Sequence, residues 1–215
     1  MIKEILDTYI QVKEEAKKTR VRSGKFSPSL FGSCLRRQIW NRQDKPISNP
    51  PDDRSLRVFE CGHIFHKFIQ DLLPTHQVEV EVEEDDVKGF ADIVTEGEVI
   101  DIKSQHSKAF WYSKRVGYDI KKEKRNNIMQ VCYYALKLNK PIGRLVFMSK
   151  DDLCMDEWTF TATQWEDAIN RELETLRMWW EAEKDPPAVP RLYNGSECKF
   201  CNFKDACAKQ EGKFE

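Results

Sequence analysis

The chain has 215 residues, which is long enough for one domain with a full hydrophobic core and a small appendage. Its formal net charge is only -1 although 33% of the residues are charged, so any nucleic-acid surface must arise from local clustering of Lys and Arg. No apolar run approaches the roughly 18 residues that cross a bilayer, and residues 1–18 have the pattern of an amphipathic helix rather than of a signal peptide. We therefore expect a cytoplasmic protein, or one of the host-cell cytoplasm if a virus encodes it, that has no membrane association.

Helices are predicted where apolar residues recur every three or four positions. Ser27-Pro28-Ser29 resembles a helix start, which would place Cys34 on the second helix, and Thr163 is the expected cap of the last one. The third helix carries both His63 and His66. The predicted helices cover residues 1–18, 30–40, 56–73, 105–117, 124–138 and 163–180.

Strands are predicted where apolar and polar residues alternate. Three valines alternate with glutamates over residues 78–83, and the two runs that follow should complete a three-stranded antiparallel meander. The predicted strands cover residues 78–83, 87–95, 98–104, 143–149 and 155–161. This order of elements predicts an α/β (α+β) fold. A stiff, proline-rich linker at 185–190 then leads to a cysteine-containing tail.

An acidic pattern lies on the second and third strands of the meander. Period-two geometry places Asp101 and Lys103 on the same side of one strand, and Asp92 lies on the run before it. Hard cations such as Mg²⁺ bind carboxylate oxygens, and a lysine beside such a cation can hold an attacking water. Taken alone, however, Asp101 and Lys103 are better explained as an exposed ion pair on an ordinary strand.

Four short motifs occur together in this part of the chain. They are Gly62-x-x-x-His66, Gly89-Phe90-Ala91-Asp92, Asp101-Ile102-Lys103 and Gln130-x-x-x-Tyr134, in that order. This ordered set resembles the RecB-like branch of the PD-(D/E)XK nucleases. The resemblance implies a restriction-endonuclease-like core over residues 56–183, in which helices flank a mixed sheet.

The resemblance also implies a catalytic centre that binds Mg²⁺ or Mn²⁺. The ligands would be His66, Asp92, Asp101 and the backbone carbonyl of Ile102, and Lys103 would be the catalytic lysine. Gln130 and Tyr134 would position the substrate or this lysine. Relatives usually carry Glu where this chain has Asp101. Two alternatives stay open, because a single histidine on such a helix is often structural and Tyr134 also suits a hydrophobic core. His63 lies on nearly the same helix face, but the Gly62 spacing favours His66.

Seven cysteines in a chain that we expect to stay inside the cell argue against a disulfide framework. Cys198, Cys201 and Cys207 form a C-x2-C-x5-C pattern, a spacing suited to one metal centre. Such a centre needs a fourth soft ligand. The candidates are Cys34, Cys61, Cys132 and Cys154.

The resemblance selects Cys34 as the fourth ligand, because residues 27–37 match the N-terminal motif of the family members that carry an iron–sulfur cluster, such as the CRISPR-associated RecB-like exonucleases. It implies a [4Fe–4S] cluster that joins an N-terminal segment, 1–55, to a C-terminal segment, 184–215. A zinc site with four cysteines is the chemical alternative. The other three cysteines are interpreted as small hydrophobic core residues.

Basic residues cluster just before Gln130, with aromatic residues between them. Phosphate neutralisation combined with base stacking suits single-stranded DNA. For any one of these side chains, an ordinary solvated helix face is the simpler interpretation. The candidate nucleic-acid residues are Arg36, Arg37, Lys114, Arg115, Lys121, Lys122, Lys124 and Arg125.

These patterns predict a metal-dependent DNA nuclease, more specifically an exonuclease on single-stranded or end-opened DNA that serves recombination, repair or foreign-DNA processing. The chain has no Walker A pattern, so unwinding of duplex DNA would need a helicase partner. Recombination proteins and CRISPR-adaptation proteins are the other expected partners. The alternative function is that of a DNA-binding subunit in a processing complex, with weak or no nuclease activity.

Overall fold

A five-stranded mixed sheet forms the centre of the protein, in a computed structural model that describes residues 1–18, 23–73 and 76–212. Its strands are Gln77–Glu83 (β1), Lys88–Val94 (β2), Glu98–Gln105 (β3), Ile142–Ser149 (β4) and Met155–Thr161 (β5). They are arranged in the order β1-β2-β3-β4-β5, in which β3 and β4 are parallel and the other neighbours antiparallel. The predicted meander, the two later strands and the mixed α/β architecture are therefore confirmed.

Helices flank this sheet. The α-helices of the described residues are α1 (Ile2–Lys18), α2 (Leu35–Arg42), α3 (Asp53–Asp71), α4 (Ser107–Tyr112), α5 (Ile120–Glu123), α6 (Arg125–Lys137), α7 (Thr163–Glu181) and α8 (Lys204–Gln210). A 3-10 helix covers Pro28–Leu30, and 3-10 turns interrupted by a kink at Asn194 and Gly195 cover Tyr193–Phe200. No helix in this part of the chain is long and apolar enough to cross a membrane.

The helix predicted over residues 30–40 begins later than expected. A 3-10 turn ends at Leu30, and the chain then turns at Gly32, whose φ of 74° is favourable mainly for glycine. The α-helix α2 begins only at Leu35, so Cys34 is its N-cap rather than a residue within it. A residue at this position keeps its N–H free for a partner outside the helix.

Two further helix boundaries also differ from the prediction. The segment predicted as one helix over 105–117 is helical only in α4, because the chain then turns repeatedly and reaches a φ of 83° at Gly117. Thr163 is the first residue of α7 and not its cap. Ala162 has the cap position and makes no side-chain hydrogen bond there.

The helices α6 and α3 cover opposite faces of β3. A Cβ on Gly143 would lie 3.1 Å from a Val131 side-chain atom, so α6 packs almost directly on the β4 backbone. On the other face, Gly62 of α3 lies against Ser104 of β3. Because side chains alternate along a strand, residues 101 and 103 face α6. The expected catalytic residues therefore lie between two helices at one place in the sheet.

The segments at the two ends of the chain share one hydrophobic core with the sheet. Phe26, Phe31 and Trp40 from the N-terminal segment pack in the same cluster as Leu145 of β4 and Phe203 of the tail. The rings of Trp40 and Phe203 contact each other edge to face, with centroids 5.6 Å apart. The residues at both ends therefore pack into the same core as the sheet.

The three cysteines that were expected in the core differ in their surroundings. Cys132 is buried and Cys154 is partly buried, as expected, but Cys61 is exposed. The expectation for Cys61 is wrong because α3 contacts the sheet along a narrow stripe, and among its residues Leu56 is the one that is fully buried.

Gly89 allows close contact between β2, α6 and the segment before α2. A Cβ at this position would overlap with the Tyr134 hydroxyl group and would lie 3.0 Å from Pro28 Cδ. Glycine is therefore required here by the space that its neighbours occupy. Tyr134 is buried, so its hydroxyl group cannot move freely into solvent.

We predict that Gly89→Ala lowers the free energy of unfolding by about 1–3 kcal/mol, because the added methyl group overlaps with packed atoms. Tyr134→Phe should reduce this cost, since it removes the oxygen that the methyl group would meet. Urea denaturation of the two single variants and the double variant measures the coupling. Gly97→Ala is the matched control, because a Cβ there meets no atom within 4 Å, and it should change stability by less than about 0.5 kcal/mol. Equal losses of unfolding free energy in Gly89→Ala and Gly97→Ala would contradict this steric explanation.

Candidate active site and cysteine centre

The candidate active site lies where β2 and β3 separate. These strands pair at Ile93–Ile100 and Val94–Val99 and then diverge, which leaves a gap that we call the fork. Across the fork, Asp92 Oδ2 accepts a hydrogen bond of 2.8 Å from the Ile102 N–H, so a side chain replaces the missing strand partner. The N–H and C=O groups of one strand residue point to the same side. The Ile102 carbonyl group therefore also points into the fork.

Asp101 and Lys103 form the wall of the fork that faces α6. Lys103 Nζ donates to Asp101 Oδ1 at 2.8 Å and approaches Gln130 Oε1 of α6 at 3.4 Å. Asp101 is only 1% exposed, and its second oxygen, Oδ2, is buried without a hydrogen-bond partner. A buried carboxylate oxygen is costly unless a donor or a cation compensates it. This atom therefore fits a cation-binding role.

The helix α3 brings His66 to the same gap. Its Nδ1 lies 3.5 Å from Asp92 Oδ2. Burial, followed by the charge of Lys103, lowers the pKa of His66, which favours the neutral ring that can bind a cation. His63 is more than half exposed and lies beside Glu60 instead. Of the two histidines on this helix, the structure brings His66 to the fork and leaves His63 outside it.

Two polar residues at the fork were missed by the sequence analysis. Gln70 Nε2 donates to Glu79 Oε1 at 2.8 Å and to the Asp92 carbonyl oxygen at 3.2 Å. Gln70 lies one helical turn after His66, so the i, i+4 spacing could have indicated it. Glu79 has a φ of 50°, a conformation that is uncommon for a residue with a side chain, and the strand pattern gave no sign of it.

The electrostatics of the fork result from burial of several charges. Burial raises the pKa of Asp101 to about 6, although the Lys103 ammonium group opposes this change. Burial also raises the pKa of Asp92. At Lys103, burial favours the neutral amine, but the two carboxylates outweigh it and the pKa is raised. Lys103 is therefore a cationic hydrogen-bond donor near neutral pH and not a free base.

Within residues 1–18, 23–73 and 76–212, no three His, Cys, Asp or Glu side chains form a ready-made site for a single metal ion. At the fork, the Lys103 ammonium group binds one oxygen of Asp101. The unpartnered Asp101 Oδ2, the Asp92 carboxylate and the neutral His66 ring are nevertheless the ligand types that a divalent cation accepts. The donor set therefore fits such a cation.

The second candidate site is a cavity of about 340 Å³ between the start of α2 and the C-terminal tail. The cysteines of the predicted cluster, Cys34, Cys198, Cys201 and Cys207, all line this cavity. Two sulfur atoms have nearby donors, because the Phe203 N–H lies 3.5 Å from Cys201 Sγ and Arg36 Nη1 lies 3.5 Å from Cys207 Sγ. Burial raises the pKa of Cys34 and of Cys201.

A buried carboxylate holds the Cys34 loop against the tail. Glu197 is 1% exposed and accepts hydrogen bonds from the backbone N–H groups of Cys34, Arg191 and Leu192. It is thus the partner of the Cys34 N–H that the helix leaves free. Sequence patterns do not indicate this residue, since a glutamate directly before Cys198 resembles an ordinary charged loop residue.

The candidate nucleic-acid residues divide into different environments. Arg36 is buried, donates to the Pro186 carbonyl oxygen and pairs with Glu211, so it belongs to the cysteine cavity and not to an open surface. Arg37 lies 3.5 Å from Glu197 beside it. Lys114 pairs with Asp156, and Arg115, Lys121, Lys122 and Arg125 are exposed. Lys124 is partly buried over the ring of Phe147.

The fold is similar to that of known proteins. The crystal structure of the protein SSO0001 matches with a TM-score of 0.64 and 22% sequence identity over 100% of this chain and 98% of that one. An alkaline exonuclease from Laribacter hongkongensis matches with a TM-score of 0.53 and 13% identity over 75% of this chain and 90% of that one. The same exonuclease in complex with dAMP matches with a TM-score of 0.54 at 13% identity, over 74% of this chain and 89% of that one. No protein-family model and no curated protein matches the sequence.

We predict that the affinity for Mn²⁺ increases with pH between about pH 5 and pH 7 and then levels off. A cation binds the ionised carboxylate, and the pKa of Asp101 is about 6, so protons compete below that value. Below this pKa, each decrease of one pH unit should weaken Mn²⁺ binding about tenfold, as expected when cation binding displaces one proton. Isothermal titration calorimetry across this range measures the effect. Asp101→Asn should bind more weakly at every pH and lose most of the dependence, whereas a constant wild-type affinity would refute the assignment.

Proposed function

We propose that this chain is a divalent-metal-dependent deoxyribonuclease, an exonuclease on single-stranded or end-opened DNA. The observation that carries the proposal is the buried Asp101 Oδ2, which has no hydrogen-bond partner in a residue that pairs with Lys103 at the same fork as Asp92 and His66. A structural ion pair would not explain why one oxygen of a fully buried carboxylate has no donor. A catalytic cation ligand would explain it.

His66, Asp92, Asp101 and the Ile102 carbonyl group would hold Mg²⁺ or Mn²⁺ in this proposal. A bound divalent cation supplies polarisation of the phosphoryl oxygen and a water of lowered pKa. Lys103, as a cation, donates a hydrogen bond to the attacking water or to the charge that develops on the phosphate. Gln130 accepts from Lys103 and limits where its ammonium group can lie. Asp101 is shorter than glutamate but offers the same oxygens.

The comparisons support the proposal through the fold. The alkaline exonuclease is similar in fold over 75% of this chain, and one of its structures is a complex with dAMP. A fold can carry several functions, so the argument depends on the residues of the fork. We therefore infer a nucleic-acid substrate from the fold and a metal-dependent reaction from the side chains.

We also propose that Cys34, Cys198, Cys201 and Cys207 bind a [4Fe–4S] cluster. Four sulfur atoms on one zinc ion, each about 2.3 Å from it, would lie within about 4 Å of one another. The four cysteines line a cavity of about 340 Å³, which has room for a polynuclear group. Arg36 also lines the cavity, 3.5 Å from Cys207 Sγ, and such a hydrogen-bond donor suits a cluster thiolate. Zinc is the second candidate.

A motor protein would supply duplex unwinding in this proposal. A helicase, a recombination protein or a CRISPR-adaptation protein would then present an opened end to the fork. The alternative function is a DNA-binding subunit of such a complex, with a weak or inactive fork. The two functions differ in one measurable property, which is cleavage by the isolated protein.

We predict that the isolated protein degrades end-labelled single-stranded DNA in the presence of Mn²⁺. Asp101→Asn and Lys103→Ala should each lower the rate at least about a hundredfold, since each removes a charge from the reaction centre. Lys67→Ala, which removes an exposed lysine paired with Asp71 on α3, should cleave at the wild-type rate. If wild-type protein with an intact cysteine centre cuts no DNA, the nuclease proposal fails. Equal rates in Asp101→Asn would assign the activity to a contaminant.

We predict that anaerobically purified protein contains about four iron and four sulfide per chain and shows visible absorbance that bleaches with dithionite. Cys201→Ser should lose iron and unfold at a lower temperature, because metal binding contributes to folding free energy. Cys61→Ser is the matched control, since Cys61 is exposed and does not line the cavity. Zinc without iron in these preparations would favour the second candidate over the cluster.

A further inference from the structure

A groove leads from the fork towards the outer strands β1 and β2. Its volume is about 680 Å³, which is in the size range of ligand-binding sites. The segment from Ser23 to Ser29 forms one wall, Lys88–Phe90 forms the other, and Gln130 and Tyr134 close the end near the fork. Because Gln130 also contacts Lys103, the groove and the candidate active site are continuous.

The chemistry of the groove suits a neutral, hydrogen-bonding ligand surface rather than strong charge attraction. Three serine hydroxyl groups and Asn41 line it. Its two lysines are already paired, Lys25 with Glu83 at 2.9 Å and Lys88 with Glu81 at 3.1 Å. The groove therefore offers hydrogen-bond donors and acceptors with little net charge.

Phe90 supplies the apolar element of this groove. Its side chain is 46% exposed, although it lies on a strand of the central sheet. Continuing the register of Ile93–Ile100 and Val94–Val99 across the fork places Phe90 level with Lys103. An exposed ring at the level of the reacting centre offers a face on which a nucleic-acid base can stack.

Lys124 lies on the opposite side of the fork. Lys103 pairs in register with Phe147 of β4, and Lys124 Nζ lies 5.4 Å from the centroid of that ring. Lys124 is partly buried and forms no ion pair among the described residues, whereas Lys114 further along is paired with Asp156. A partly buried ammonium group without an anion is costly, and a phosphate would compensate it.

We infer that a single strand of DNA crosses the sheet at this level. One of its bases stacks on Phe90 in the groove, and a phosphate on the other side of the fork binds Lys124. This inference rests on the proposed function and names the substrate surface of that same site. It differs from the sequence prediction, which placed DNA along the whole basic segment and gave no role to the groove.

Fluorescence anisotropy with a labelled single-stranded oligonucleotide in EDTA tests this inference without cleavage. Phe90→Ala should weaken binding about tenfold, the loss expected for one stacked base, and leave the salt dependence unchanged. Lys124→Ala should also weaken binding and reduce the slope of log K against log salt by about 0.7, the value for one phosphate contact on a single strand. A blunt duplex should bind wild-type protein more weakly, because its bases cannot reach Phe90.

Two control variants test whether the loss of DNA binding is specific to Phe90 and Lys124. Phe68→Ala removes a ring that is 44% exposed on α3, two residues from His66 and hence on a different helix face. Lys3→Ala removes an exposed lysine on α1. Neither should change binding. If Phe90→Ala binds like Phe68→Ala, or if the salt slope of Lys124→Ala equals that of wild type, the inference is overturned.

The same variants separate this inference from the proposed nuclease function. Mn²⁺ binding measured by calorimetry should be the same in wild type, Phe90→Ala and Lys124→Ala, since neither residue is a candidate ligand. Cleavage that persists with wild-type affinity in both variants would overturn the strand path and leave the nuclease intact. Binding that depends on Phe90 in a protein that never cleaves would support the strand path and reject the nuclease.

Discussion

The separation of β2 from β3 is the constraint on which the candidate site depends. Two strands that paired along their whole length would bury their backbone groups in hydrogen bonds and leave no room for a ligand. Here the Asp92 carboxylate takes over one of these bonds, so the Ile102 amide stays satisfied while the gap remains open. A carboxylate elsewhere in the chain could not accept this hydrogen bond and also bind a cation in the gap. The same carboxylate therefore maintains the fold of the fork and belongs to its candidate ligand set.

Three buried carboxylates differ in how completely their oxygens are hydrogen-bonded. Glu172 accepts from the Gly32 amide, from Gln38 and from the Arg191 guanidinium group, and Glu197 accepts from three backbone amides. Both are saturated, so removal of either would leave several donors without a partner, at a cost of about 3 kcal/mol or more. Asp101 is equally buried but has one bare oxygen. The hydrogen bonds to Glu172 and Glu197 identify these two residues as structural anchors. The bare oxygen of Asp101 distinguishes it from them.

Short-range sequence patterns predicted the strands and most helices, because alternation and helical spacing depend on neighbours in sequence. The four motifs are also short-range patterns. The Gly62-x-x-x-His66 motif selected the histidine that the structure brings to the fork, whereas helical spacing alone could not separate it from His63, which lies beside Glu60. The groove was missed for a related reason. Its serines were interpreted as a helix start, and its opposite wall lies some 60 residues away on β2.

The segment between Ser23 and Cys34 connects the two candidate sites. Its first half forms a wall of the groove and packs at Pro28 against Gly89, and its end carries Cys34 at the cysteine cavity. Between them, the Gly32 amide is bound by Glu172. A metal centre that holds Cys34 would therefore fix one end of the wall that we assign to DNA. The metal centre would then contribute to function by holding the wall of the groove in place. The sheet positions Asp92 and Asp101 without this centre.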